Sequence, residues 1–170
     1  MEKILKALTL IDSLSEWTGK LVSSFIVILA FLVGFEVIAR YVFQSPTIWV
    51  GELSVMLFGT AIIIGGAYTL YQGGHVNMDI VHQMLPIRIR ATIDIITSVL
   101  AFAFAVVLLW KGGASAIKSI KAWEHASTLW GPPLYPFRIM LPLGAFLLLL
   151  QLMVKFIRDI IQLITGSERS

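Results

Sequence analysis

Four long apolar stretches, approximately Leu21–Phe43, Trp49–Tyr71, Ala91–Trp110 and Leu134–Ile157, take up most of a chain of 170 residues. A helix needs about 20 mostly apolar residues to cross a hydrocarbon core about 30 Å thick, and each stretch meets or approaches that length. Little sequence is left for a soluble domain. Composition agrees: 14% of the residues are charged, where a water-soluble domain typically carries about 25%. The predicted fold class is therefore an all-α integral membrane protein. We expect four transmembrane helices preceded by an amphipathic interfacial helix, forming one membrane domain over residues 1–170.

The absence of cysteine excludes a disulfide framework and thiol chemistry. The net charge of +3 does not point to nucleic acid, because the Lys and Arg residues sit at the ends of apolar runs and form no dense patch. Membrane lipids are the partner that such flanking charges suit. Residues 1–20 lack a separate apolar core followed by a small-residue cleavage site, so they do not read as a cleavable signal. Ile4, Leu8, Ile11, Leu14 and Trp17 recur at helical steps, as do Lys6, Thr9, Ser13, Glu16 and Lys20 on another face. This pattern predicts an amphipathic helix lying in the interface; the alternative is a plain extension of the first span.

With four spans, both termini and the loop around 72–90 share one side. That side carries Lys3, Lys6, Lys20, Arg88, Arg90, Lys155, Arg158 and Arg169, against Arg40, Lys111, Lys118, Lys121 and Arg138 on the other. The excess predicts cytoplasmic termini in the inner membrane of a bacterium or archaeon. A tight turn, Gln44-Ser45-Pro46-Thr47, joins the first two spans. The external connection, 112–136, contains a helix-compatible part, Ala114–His125, and then a stiff run with Pro132, Pro133 and Pro136. No internal repeat is evident.

Charges inside spans are costly and usually face a partner or a water cavity. Glu36 and Arg40 lie one turn apart late in the first span and can pair. Glu52 opens the second span across a short turn and is expected to complete a Glu-Arg-Glu cluster. Asp94 opens the third. An ion- or proton-coupling site is one reading of the cluster; a structural clamp is the favoured one, because the charges lie near span ends. His75, Asp79 and His82 share a helix face at a spacing that suits a metal, yet a polar interfacial loop accounts for them as well. Bis-histidine haem needs histidines inside facing helices, and His75, His82 and His125 all fall in connections. No metal or other cofactor is expected in this chain, and no nucleophile–base pair or phosphate loop marks an enzyme.

The ordered motifs carry a resemblance. Glu36…Arg40-Tyr41-Val42-Phe43 closes the first span, and Trp49-x-x-Glu52 opens the second. Gly73-x-His75-Val76-x-Met78-Asp79…Leu85-Pro86 follows. Trp130-x-Pro132-Pro133-x-Tyr135-Pro136…Leu141-Pro142-Leu143-Gly144 and Leu150-Gln151 come last. Across nearly its whole length the chain resembles the small membrane subunit, DctQ-like, of tripartite ATP-independent periplasmic (TRAP) transporters.

The resemblance implies three parts: a periplasmic protein that captures an organic acid, a large elevator-type membrane subunit driven by sodium, and a small subunit that enlarges its scaffold. Sodium ions are then expected in the large subunit, not here. Candidate contacts with these partners are Trp49, Gly59, Gly66, His75, Asp79, Lys118, Lys121, Trp130, Pro132 and Pro133. Gly59 and Gly66 lie seven residues apart and share a face that would let another helix approach closely. Lys118 and Lys121, with Glu124, would supply a charged rim for the capture protein. Two alternatives are a self-sufficient small antiporter cycling a proton on Glu36, and an anchor subunit of a membrane redox complex.

Overall fold

The computed structural model describes the backbone of residues 2–72 and 87–165. Within it are four helices: α1, Glu2–Tyr41; α2, Val50–Tyr71; α3, Ile87–Lys121; and α4, Tyr135–Thr165. Each contains a stretch long and apolar enough to cross a membrane. The chain is thus an all-α multi-pass membrane protein, as its apolar runs require.

The helices outrun the apolar stretches that predict them. α1 is one unbroken helix of 40 residues, about 60 Å at 1.5 Å per residue, roughly twice the hydrocarbon thickness. The separate interfacial helix expected over 1–20 is instead continuous with the first span. No proline interrupts it, and Gly19, the glycine between the two parts, is buried against the Tyr68 ring of α2. Nor do the apolar residues of this segment form one face: Leu8 turns inward and is buried, whereas Leu14 and Trp17 are exposed. α3 likewise takes in Ala114–Lys121, most of the expected helix-compatible part Ala114–His125 of the external connection, and leaves 122–134 outside the helices.

Local chemistry sets the ends. α1 stops ahead of Ser45-Pro46, since proline disfavours a helical residue before it. The chain reverses through Gln44 in the left-handed region (φ 50°), with Ser45 N donating to Ala39 O at 3.0 Å. α2 carries Glu52 in its first turn, where a negative charge suits the helix dipole. α3 ends with Lys118 and Lys121 in its last turn, the complementary arrangement. α4 tolerates Pro136 in its first turn, where an amide hydrogen has no helical partner anyway. Pro142 lies inside α4 and removes one rung of its hydrogen-bond ladder.

α4 is the central element and packs against α3, α2 and α1. Leu70, Ala105 and Leu152 form a buried cluster, joined by Phe102 and Leu148. Phe102 meets Phe156 edge-on at 6.0 Å. Tails of lipid are as apolar as leucine, so helices in a membrane associate through close packing and polar contacts. Close packing is clearest at Gly144: a Cβ there would lie 2.6 Å from the carbonyl oxygen of Ile63 in α2.

Candidate functional site

Polar side chains gather at the two ends of the bundle. At the end opposite the termini, Glu36 is held by four donors. Its Oε1 accepts from Arg40 Nη2 at 2.6 Å and Arg40 Nε at 3.1 Å. Its Oε2 accepts from the backbone N–H of Thr47 at 3.2 Å and from the Thr47 hydroxyl in a short bond. The carboxylate therefore stitches the last turns of α1 to the α1–α2 connection. Val33, Val37, Tyr41, Val50 and Ser54 line an open groove beside this pair.

Glu52 does not complete the expected Glu-Arg-Glu cluster. Its Oε2 accepts from the Thr128 hydroxyl at 2.8 Å, 76 residues away in the α3–α4 connection. Thr47 fills the oxygen of Glu36 that faces the turn, and Glu52 leaves α2 toward the connection. Thr128 Oγ1 in turn accepts from Gly131 N at 3.3 Å, so Glu52 anchors a loop. Trp49 caps α2 by position and rests its ring on Phe35, 6.3 Å between centroids.

The connection 122–134 is compact. Ala126 N donates to Pro132 O and Leu134 N to Glu124 O, each at 2.9 Å. Gly131 supplies the left-handed residue (φ 60°) that the turn needs. Arg138 reaches back from α4 to Glu124 at 2.5 Å and to Ser115 Oγ at 3.3 Å. Glu124, expected as part of a charged rim, is thus committed to Arg138. Lys118 and Lys121 are exposed, Trp130 is 37% exposed, Pro132 is buried and Pro133 partly so. Trp123 meets Tyr135 edge-on at 5.6 Å.

Gly59 and Gly66 have nothing within 4 Å of where a Cβ would stand. The bundle does not use them, unlike Gly19 and Gly144. They sit in an outward stripe of α2 with Val55 and Ile62, both well exposed. His75 and Asp79, with His82, lie outside the described residues.

The sequence reading missed a network at the other end. The Ser15 hydroxyl donates to Gln151 Oε1 at 3.0 Å, and Gln151 Nε2 donates to Asp12 Oδ1 at 3.0 Å. Arg158 closes the chain with a short ion pair to Asp12 Oδ2. Gln151 is 3% exposed. The chain thereby joins the N-terminal half of α1 to the C-terminal half of α4. Two signals pointed to it: a glutamine immediately after Leu147–Leu150, and Asp12 and Ser15 three residues apart on one face. What these groups do chemically is hold helices together; every carboxylate just described is engaged by a donor.

A family described as the DctQ component of tripartite ATP-independent periplasmic transporters matches residues 10–162. The chain is 26% identical over 98 residues to a C4-dicarboxylate TRAP transporter small permease protein, DctQ, of Vibrio cholerae serotype O1. That match covers 58% of this chain and 41% of the Vibrio protein. It is 32% identical over 92 residues to a sialic acid TRAP transporter permease protein, SiaT, of Haemophilus influenzae, covering 54% of this chain and 14% of that protein. The matched part is thus less than half the length of either relative. The family match spans most of the chain, and its four apolar helices fall within or near it: this protein belongs to the DctQ-component family of TRAP transporters.

Proposed function

We infer that this chain is the small permease subunit of a TRAP transporter and serves as a scaffold for a larger membrane subunit. The observation that carries this is the fate of its polar side chains. Glu36, Glu52, Asp12 and Gln151 each bind a donor from another turn or another helix of the same chain. A substrate path needs polar groups turned toward a cavity, typically at broken helices paired by an internal repeat. Groups consumed in helix-to-helix ties suit a rigid support instead. The same bonds weigh against Glu36 as a proton carrier, because Thr47 and Arg40 hold its charged form in place.

The larger subunit would move substrate, an organic acid, driven by sodium ions bound there. C4-dicarboxylate and sialic acid, in the names of the two relatives, are both of that class. A periplasmic capture protein would deliver substrate to the face bearing Lys118, Lys121 and the 122–134 connection, with both termini in the cytoplasm. Family membership points to transport rather than to catalysis.

The test is reconstitution in liposomes with capture protein and a sodium gradient. Large and small subunits together should transport, and the large subunit alone should lose most of the rate. Full transport by the large subunit alone would remove the scaffold role, and transport by this chain alone would replace it with the antiporter.

A further inference from the structure

The charge-free stretches of the two outer helices lie at different heights. In α1 no charged residue falls between Lys20 and Glu36, and in α3 none falls between Asp94 and Lys111. Each stretch is about 23 Å of helix, close to what a hydrocarbon core requires. Contacts fix their relative height. Gly19 of α1 meets Tyr68 of α2, and Leu70 of α2 shares a buried cluster with Ala105 of α3. Toward the other end, Val22 of α1 meets Gly65 of α2, Ile63 meets Gly144 of α4, and Leu141 of α4 meets Gly112 of α3. By either route Lys111 stands level with about residues 23–26 of α1, so Lys20 and Lys111 are only about 5–9 Å apart along the bundle axis. Both are exposed.

Yet these two lysines belong to opposite surfaces of the bilayer. Lys20 opens the first span and Lys111 closes the third. Each also has a tryptophan at hand, as interfacial residues do: Trp17 lies one turn from Lys20, and Lys111 Nζ stands 5.7 Å from the Trp110 ring centre. A bundle standing upright could not keep both outside a core about 30 Å thick. It would draw in either Lys111 or the Glu16–Lys20 ion pair, and intramembrane charge is costly. Tilting removes the conflict. α1 packs mainly on α2, α2 on α4 and α4 on α3, which sets α1 and α3 at opposite edges. With about 8–10 Å between neighbouring axes, a tilt of about 35° in that plane carries the two lysines roughly 20 Å apart in depth. Snorkelling side chains span the rest. The charge-free stretch of α4, between Arg138 and Lys155, has an intermediate height, as an inclined boundary requires.

The end of the bundle opposite the termini shows the same slope. Beyond Arg40, at the α1 edge, Tyr41, Val42 and Phe43 are 76%, 70% and 72% exposed. At the α3 edge the exposed residues of that end include Lys118 and Lys121. We propose that the lipid boundary of this chain is oblique: the helices incline by about 35°, within the range known for membrane helices. Acyl chains then cover α1 as far as the turn after Arg40, while headgroups and water meet α3 from Lys111 onward. The inference concerns this chain and the bilayer, and it does not depend on the identity of any protein partner.

The experiment compares residues that share a height in the bundle. The chain has no cysteine, so a single introduced cysteine carries a nitroxide at one known place. Ile28 of α1 is level with Ala114 of α3, and Trp17 of α1 with Phe104 of α3; all four are exposed. Each labelled full-length chain is reconstituted in nanodiscs of phosphatidylethanolamine and phosphatidylglycerol. Power saturation then gives the ratio of accessibility to oxygen, which concentrates in hydrocarbon, over that to a polar nickel chelate, which hydrocarbon excludes. An oblique boundary places Ile28 and Phe104 near the middle of the core, and Ala114 and Trp17 outside it. The ratio should be higher by about tenfold at Ile28 than at Ala114, and likewise at Phe104 than at Trp17, because the chelate pays a large desolvation cost to enter the core. Phe31 and Ile117, another exposed pair at nearly one height, repeat the first comparison if either of its variants fails to insert. Equal ratios within either pair, or the reverse order, would overturn the inference.

Discussion

The network around Asp12 allows a buried hydrogen bond to be separated from an ion pair by two substitutions at one position. Asp12→Asn keeps an oxygen for Gln151 Nε2 but removes the charge facing Arg158. Asp12→Ala removes both. The Arg158 side chain is 40% exposed and that of Asp12 12%; in Asp12→Asn the buried partner carries no charge and the freed guanidinium reaches water, so loss of the half-exposed pair costs about 0–1 kcal/mol. Gln151 is 3% exposed, and stranding its amide costs about 1–3 kcal/mol by analogy with buried groups in soluble proteins. Polar contacts between membrane helices have measured nearer 0.6 kcal/mol on average, with a maximum near 1.7. Expected losses are therefore about 0.5 kcal/mol for Asp12→Asn and about 1.5–2 kcal/mol for Asp12→Ala. Removing both partners can be nearly neutral, so Gln151→Leu added to Asp12→Ala should recover roughly half of the Ala penalty. Ser15 then loses its acceptor too, but its hydroxyl can turn to a backbone carbonyl of its own helix. Unfolding of the purified subunit in mixed micelles, followed by circular dichroism, measures all four proteins. Equal losses for Asn and Ala would refute the reasoning, because the half-exposed ion pair would then be the stronger tie; so would a double mutant worse than Asp12→Ala.

Other outcomes follow from the same geometry. Gly144→Ala puts a Cβ 2.6 Å from Ile63 O and should destabilise the bundle by about 1–3 kcal/mol through overpacking; Gly66→Ala, with open space around it, should leave the isolated subunit's unfolding midpoint unchanged. Glu36→Ala severs all four of its bonds and should lower the midpoint more than Arg40→Ala, which leaves the Thr47 contacts; the opposite order would move the clamp's centre to Arg40. Reporter fusions after Ser170 and at Lys118 should report opposite sides of the membrane, and agreement between them would overturn the topology. Charge reversal at both Lys118 and Lys121 should weaken the dependence of transport on capture-protein concentration at low salt, since rim charges chiefly tune association; an unchanged profile would remove these lysines from docking.

The fold was legible because an apolar run of about 20 residues declares a span without reference to any neighbour. The Glu36–Arg40 pair was legible for the same reason, lying four residues apart on one helix. What the sequence concealed is what depends on a distant partner. Glu52 looked toward Arg40 because both flank a short turn, but its bond goes to Thr128. Asp12 and Gln151 lie 139 residues apart, and neither alone is unusual at a span end. Helix ends were misplaced for a related reason: α1 and α3 continue past the bilayer because α4 and the connection give their extra turns something to pack on. Small residues make the point most sharply. Gly59, Gly66 and Gly144 look alike in the sequence, yet only Gly144 is pressed against another helix of the chain.

α4 is the element that ties the bundle together. It packs on each of the other helices, and its ties are spread along its whole length. Arg138 holds the α3–α4 connection near one end, Gly144 admits α2 in the upper half, Leu152 joins the central cluster, and Gln151 with Arg158 holds α1 near the other end. Pro142 lies between the first and second of these and removes one rung of the helical ladder there. Rotating any one helix would break a polar tie at one end or a close backbone contact in the middle. Packed cores resist continuous deformation, so these contacts favour the arrangement seen. Ties so distributed suit the scaffold role proposed above, in which a neighbour that must move relative to the membrane needs a surface that does not.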